Sequence, residues 1–313
     1  MSTGSSVNEQ EESQELNDDS EQRPHGDLPS LHKFSANRAY WGQKLQDSQE
    51  QLLSHVLDET KSHTQHLAMV NNIILTRFDF WTLGLQRDME GTILNSCLKM
   101  IEKRVENLFA ADSYVISSWF PPSSRNPMDH LPDNAASLQW IILPVFVPGH
   151  WTLCILRPQA REIFFLDSLW GSGWRDENRT SLFRHVAHSL SSGPWRELGV
   201  NDVQGLTKQG CSNNCGVFVL MYTLYMVMGA KCDFREENML QMRRWWCLAL
   251  LQNFPMPSEE DRLQDRKRRR VQGGLQTVEN EQNWKQGTGL LVMGQKNTIV
   301  KHLWKLKECI WLG

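Results

Sequence analysis

The chain lacks an apolar run long enough to span a bilayer. Its longest, Gly216 to Ala230, is too short and carries Tyr222, Thr223 and Tyr225, so it reads as a buried core helix. It lacks a basic start followed by an apolar segment, so no targeting peptide is expected. Its 7 cysteines (Cys97, Cys154, Cys211, Cys215, Cys232, Cys247 and Cys309) contain no C-x-x-C pair. With no secretory signal visible, no disulfide framework is expected. Cys211, Cys215 and His150 could approach one metal ion, but no fourth ligand accompanies them and the interval is loose for structural zinc. Neither metal nor other cofactor is expected, and a Cys211–Cys215 disulfide has nothing to fix its geometry. Net charge is also nearly absent, at -3, so no overall field favours nucleic acid. No internal repeat is visible.

What is present divides unevenly. An apolar fraction of 40% supports a core in part of the chain. Residues 1–35 are rich in Glu, Asp, Ser and Gln, which suits disorder. Residues 36–70 carry a weak helical pattern with Leu45, Leu52, Leu53, Val56 and Leu57, a possible helical extension. Residues 71–257 hold the apolar periodicity of a folded domain, closed by Pro255-Met256-Pro257. Residues 258–313 are basic and low in complexity. Their run Arg266-Lys267-Arg268-Arg269-Arg270 suits nuclear import or an acidic partner, and ordinarily is a solvated linker.

Within the domain, spacing predicts a helix over 92–110 and a short strand from Tyr114 to Ser118. Pro121-Pro122 and Pro127 mark a loop. Strands at hairpin spacing follow over Gln139–Val147, Trp151–Leu156 and Arg161–Leu166. Helices are expected over Asn178–Leu190, Cys215–Met228 and Phe234–Phe254. The last has Met239, Met242, Trp246 and Leu250 as an inner stripe.

Four polar residues stand where these elements start or stop. His150 follows the first strand of the hairpin series, Asp167 ends the third, and Cys215 opens the most apolar helix. Gln209 lies on a polar turn before it, in Gln209-Gly210-Cys211-Ser212-Asn213-Asn214-Cys215-Gly216. Singly, each has an ordinary structural role as a turn former, cap or small buried side chain. In this order they supply a base, an orienting carboxylate, an oxyanion donor and a nucleophile. A thiol reacts as its thiolate, which an imidazole partner and a helix amino end both favour. His150 can exchange the proton. Asp167 can hold its tautomer. The Gln209 amide can share an oxyanion site with the Cys215 N–H. Gly216 lets a substrate approach the backbone closely.

At these positions the chain resembles the ubiquitin-like-protein-specific cysteine proteases, the SUMO protease family of the adenain-like clan. The resemblance rests on His150-Trp151, Asp167-Ser168 and Gln209 with Asn214-Cys215-Gly216, and runs from about Phe78 to Phe254. It implies an α+β, papain-like or adenain-like fold: a mixed sheet with a central helix carrying the nucleophile. It also implies cleavage after the Gly-Gly terminus of a ubiquitin-like modifier, in deconjugation or precursor maturation, through a thioester. Trp151 would lie over the Gly-Gly tail. The implied partners are the modifier and its conjugates, the implied site intracellular: the nucleus first, with the cytoplasm as the alternative. The chain departs from the family at Asn214, usually Asp, and at Cys211, often Asn. Asp88-Met89-Glu90-Gly91 stands where the family carries Trp-Leu-Asn-Asp, so a second aromatic wall is missing or comes from Trp81 or another residue. These departures also admit a catalytically impaired binder of a ubiquitin-like protein. An adenain-like acyltransferase is a further alternative.

Overall fold

A computed structural model describes residues 41–170, 174–210 and 212–256. The acidic segment 1–35, the basic run Arg266–Arg270, the tail 258–313 and Cys211 lie outside the described residues.

Helix α1 (Asp47–Val56) is followed by an antiparallel pair, β1 (His66–Val70) and β2 (Ile73–Thr76). Helix α2 (Arg77–Gly84) starts on a capping box, with Thr76 and Asp79 exchanging side chain-to-backbone bonds, which satisfies amide groups left free at a helix start. Helix α3 (Gly91–Glu102) leads to β3 (Leu108–Ala110), and helix α4 (Ser113–Ser117) to β4 (Trp140–Val147). Strands β5 (His150–Arg157) and β6 (Glu162–Leu166) follow, then helix α5 (Glu177–Leu190) and β7 (Arg196–Gly199). Helix α6 (Cys215–Val227) and helix α7 (Met239–Asn253) complete the body.

The main sheet has the order β3-β4-β5-β6-β7. Its inner pairs β4–β5 and β5–β6 are antiparallel, whereas β3 and β7 join the edges in parallel. The sheet is mixed and the architecture α+β, as the resemblance implied. Apolar side chains fill both faces of its centre, which is why β4 and β5 read as continuous apolar runs. Ile141, Leu143 and Val145 pack with Ile116, Phe183, Val186 and Ala187, from α4 and α5. Trp140, Ile142, Leu153 and Ile155 pack on the other side with α6 and α7. Helix α6 is buried almost all round, the expected state of a helix without a polar face. Among the described residues no helix is long and apolar enough to cross a membrane.

Three sequence expectations change. Tyr114–Ser118 is helical rather than a strand. The Asp112 side chain accepts from Tyr114 N at 2.8 Å and starts α4, a local cap that outweighs the strand preference of Val115 and Ile116. The helix expected over 92–110 ends at Glu102, and Leu108 turns into the sheet beyond Asn107, whose φ is 55°. Strand β7 went unrecognised because Arg196-Glu197-Leu198-Gly199 has little apolar content. In addition, residues before position 71 enter the same core. Leu53 and Val56 are buried, and Trp41 donates from Nε1 to the Tyr225 hydroxyl at 2.9 Å.

Candidate active site

The β4–β5 hairpin delivers the imidazole. Val147 pairs with His150, leaving a two-residue turn of Pro148 and Gly149, the latter at φ 76°. Proline presets the first turn position and glycine accepts the positive φ of the second. His150 is therefore the first residue of β5, beside the end of β6. Asp167 follows β6 directly and is 1% exposed. Its Oδ1 lies 2.7 Å from His150 Nε2 and accepts from Leu169 N at 2.9 Å. With Nε2 held by the carboxylate, Nδ1 is the nitrogen left for sulfur, and Cys215 is close enough to act on this ring.

Burial pulls the His150 pKa down, but hydrogen bonds to Asp167 and Cys215, with their charges, outweigh it and push it up to about 9. The ring is thus an imidazolium at neutral pH. Cys215 is the first residue of α6, where free N–H groups and the helix dipole favour negative charge. An imidazole partner and a helix amino end are the two surroundings in which a thiol can act as a nucleophile.

Gln209 sits beside these groups at 4% exposure. Its backbone N–H donates to Ser168 O at 2.8 Å, and its Oε1 accepts from Ser168 Oγ at 2.6 Å. Its Nε2 donates to Ser212 O at 2.6 Å. An amide nitrogen carries two hydrogens, so this bond fixes the side chain and leaves one N–H to offer. The residue after Asp167 thus orients the residue expected to bind an oxyanion.

Trp151 is 5% exposed and donates from Nε1 to Met89 O at 2.9 Å. Met89 also closes on the helix start. A Cβ added at Gly216 would lie 2.8 Å from Met89 Cβ, so only glycine fits there. The segment that departs from the family pattern therefore braces both Trp151 and Gly216. Phe146 is the ring packed on Trp151, at 4.9 Å between centroids and tilted by 58°. It is 50% exposed. Trp81, considered from sequence for a second wall, instead carries the Arg87 guanidinium at 5.7 Å.

Arg243 and Glu236 escaped the sequence reading, although both reach the loop before Cys215. Arg243 is fully buried in α7. Positions 239, 243, 246 and 250 share one helix face, so an arginine on the inward stripe was the available signal. For Glu236, whose side-chain hydrogen bonds are all distant in sequence, no signal existed.

A family model described as the Ulp1 protease family, C-terminal catalytic domain, matches residues 89–252. Ubiquitin-like-specific protease 1 of Saccharomyces cerevisiae is 26% identical over 181 residues. That match covers 56% of this chain but only 29% of the yeast protein. Two solved structures share the fold. One is the C-terminal Ulp1 protease domain in complex with Smt3, the yeast ortholog of SUMO, with TM-score 0.56 and 23% identity, covering 67% of this chain and 97% of that one. The other is the catalytic domain of the Chaetomium thermophilum Ulp1-like SUMO protease, with TM-score 0.58 and 18% identity, covering 69% of this chain and 93% of that one.

Proposed function

The chain belongs to the Ulp1 protease family, and we propose that it is a thiol protease cleaving after the Gly-Gly terminus of a ubiquitin-like modifier, SUMO first among them. The observation that carries this reading is the His150 ring bonded to Asp167 Oδ1 with Cys215, the first residue of α6, close enough to act on it. The solved relative bound to Smt3 supports the choice of modifier.

In the reaction, the Cys215 thiolate attacks the carbonyl carbon of the terminal glycine. The developing oxyanion takes hydrogen bonds from the Cys215 backbone N–H and the remaining Gln209 Nε2 hydrogen. Such donors stabilise the transition state by about 3–4 kcal/mol each. The C–N bond breaks as His150 gives its proton to the leaving amine, which leaves a thioester on Cys215. His150, now neutral, takes a proton from water, whose oxygen attacks the thioester. Breaking the C–S bond releases the modifier carboxylate and restores the ion pair. Asp167 stays ionised and holds the ring. Trp151 and Gly216 border the path of the tail, where side-chain-free residues fit. The basic run Arg266–Arg270 supports a nuclear site of action.

The test incubates the full chain with SUMO, ubiquitin and other modifiers bearing a C-terminal electrophile, beside Cys215→Ala. An adduct with one modifier that is lost in Cys215→Ala supports the reading and names the modifier. A folded protein that forms no adduct with any of them overturns it. Non-covalent capture of a modifier by such a protein would indicate a binder. Transfer of an acyl group to an acceptor other than water would indicate an acyltransferase.

A further inference from the structure

The Arg243 side chain has no direct carboxylate partner among the described residues. Its Nε donates to Asn214 Oδ1 at 2.9 Å. One terminal nitrogen donates to the carbonyls of Thr82, Leu83 and Leu85, and the other to those of Arg87 and Asn213. All its donors are used, so the cation ties the segment leaving α2 to the residues just before the nucleophile. Burial lowers its pKa to about 10, against the pull of Cys247, Cys215 and Asp88. A buried cation met only by neutral oxygens is costly unless negative charge lies close by.

That charge reaches it through an amide. Asn214 turns Oδ1 to Arg243 and Nδ2 to Glu236 Oε1, at 3.1 Å. Nδ2 also meets Ser212 Oγ at 3.0 Å. Glu236 further accepts from Gly210 N through Oε2 and from Ser212 Oγ through Oε1. One carboxylate thus gathers residues 210, 212 and 214, and Ser212 O in turn holds the Gln209 amide. We infer that Glu236 is a positioning residue: through an Arg243–Asn214–Glu236 bridge it sets the loop that presents Gln209 and Cys215. The inference deepens the protease reading and rests on it for its catalytic consequence.

The bridge explains why Asn is suited to position 214 in this chain. Glu236 offers only acceptors, so its neighbour must donate, and Asn does so while accepting from Arg243. Aspartate there would pair directly with Arg243 but would set two carboxylates against each other. The two positions are therefore expected to be coupled. An Asp at 214 needs a donor at 236, which Gln supplies.

The experiment compares the full chain with Asn214→Asp, Glu236→Gln and the double variant, reading kcat and KM on a modifier fusion. It also reads the rate at which iodoacetamide alkylates Cys215, followed by peptide mass analysis. Glu236 lines a cavity of about 530 Å³ with Gln86, Asn214 and Leu240, so the isosteric change has room. Circular dichroism and urea midpoints identify any variant that fails to fold. Each single variant is expected to lower kcat about tenfold to a hundredfold with KM little changed, the scale of a displaced reacting group. The double variant is expected to recover most of the loss. Multiplying losses in the double variant, or single variants with unchanged kcat, would overturn the inference. If the wild type cuts no modifier, the protease reading fails by itself. The alkylation rates then decide the coupling, with rescue in the double variant supporting it and its absence refuting it.

Discussion

Replacing Asp167 by Asn keeps the side-chain shape and removes its charge. In the folded chain the carboxylate is 1% exposed and 2.7 Å from His150 Nε2. Burial alone would lower the His150 pKa, and the bonds and charges of Asp167 and Cys215 raise it to about 9. Against the ordinary value of about 6.5, this corresponds to about 3 kcal/mol of preference for the imidazolium. At pH 7.5 a pKa of about 9 gives about 30 charged rings for each neutral one, whereas 6.5 gives about one in ten. Without the carboxylate the burial penalty persists, so most rings lose the proton that the leaving amine needs. That alone is worth about tenfold. Loss of tautomer and ring orientation adds to it, and a comparable Asp→Asn change in a serine protease triad costs about 10⁴-fold. We expect Asp167→Asn to lower kcat/KM by about 10²–10⁴-fold. The assay is kcat/KM against pH on a fluorogenic modifier substrate. Wild-type activity should fall as pH rises through about 9, where the imidazolium is lost. In Asp167→Asn that alkaline limb should move down by about two pH units or more. An unmoved limb with kcat/KM nearly unchanged would refute the assignment of Asp167.

The same pair makes stability depend on pH. A raised histidine pKa stabilises the fold fully below about pH 6.5 and loses that contribution as pH climbs to about 9. Urea unfolding at the two ends of this window should differ by about 2–3 kcal/mol in wild type and by much less in Asp167→Asn. Equal differences in both proteins would count against the ion pair. Gly216→Ala should destabilise by about 1–3 kcal/mol through overpacking, since the new Cβ meets Met89 Cβ at 2.8 Å. Met89→Gly, which removes that Cβ, should relieve it, and independent effects would show that Met89 is not the obstacle. Trp41→Ala, outside the sequence-predicted domain of 71–257, should cost about 3–5 kcal/mol, because Trp41 is 3% exposed and bonded to Tyr225. A change within measurement error would show that the N-terminal segment contributes nothing to the core.

Much of this fold was visible wherever apolar pattern and local chemistry agreed. Strands β4, β5 and β6 and helices α5, α6 and α7 lie within a few residues of their expected limits, because each is a continuous or periodic apolar run. Failures came where a local cap or a distant pairing decided. Asp112 turned Val115 and Ile116 into a helix, and β7 exists because β6 offers an edge to a polar segment. At the candidate site, His150, Asp167 and Cys215 were legible because each sits at an element boundary, and Gln209 because it lies on the polar turn before Cys215. Phe146 lies within the strand expected over Gln139–Val147, and register places it directly opposite Trp151.

By itself, then, the sequence determined which chemistry is available: a thiol at a helix start, an imidazole at a strand start, a carboxylate at a strand end and an amide on the loop between. Those are properties of residue type and order, which local backbone preferences express. The tertiary structure decided which atoms meet. It alone turned His150 Nε2 to Asp167, set Met89 between Trp151 and Gly216, and brought Arg243 and Glu236 to opposite ends of the Asn214 amide. Arg243 and Glu236 each meet Asn214 from a distant part of the chain, so no short window of sequence contains both halves of these interactions.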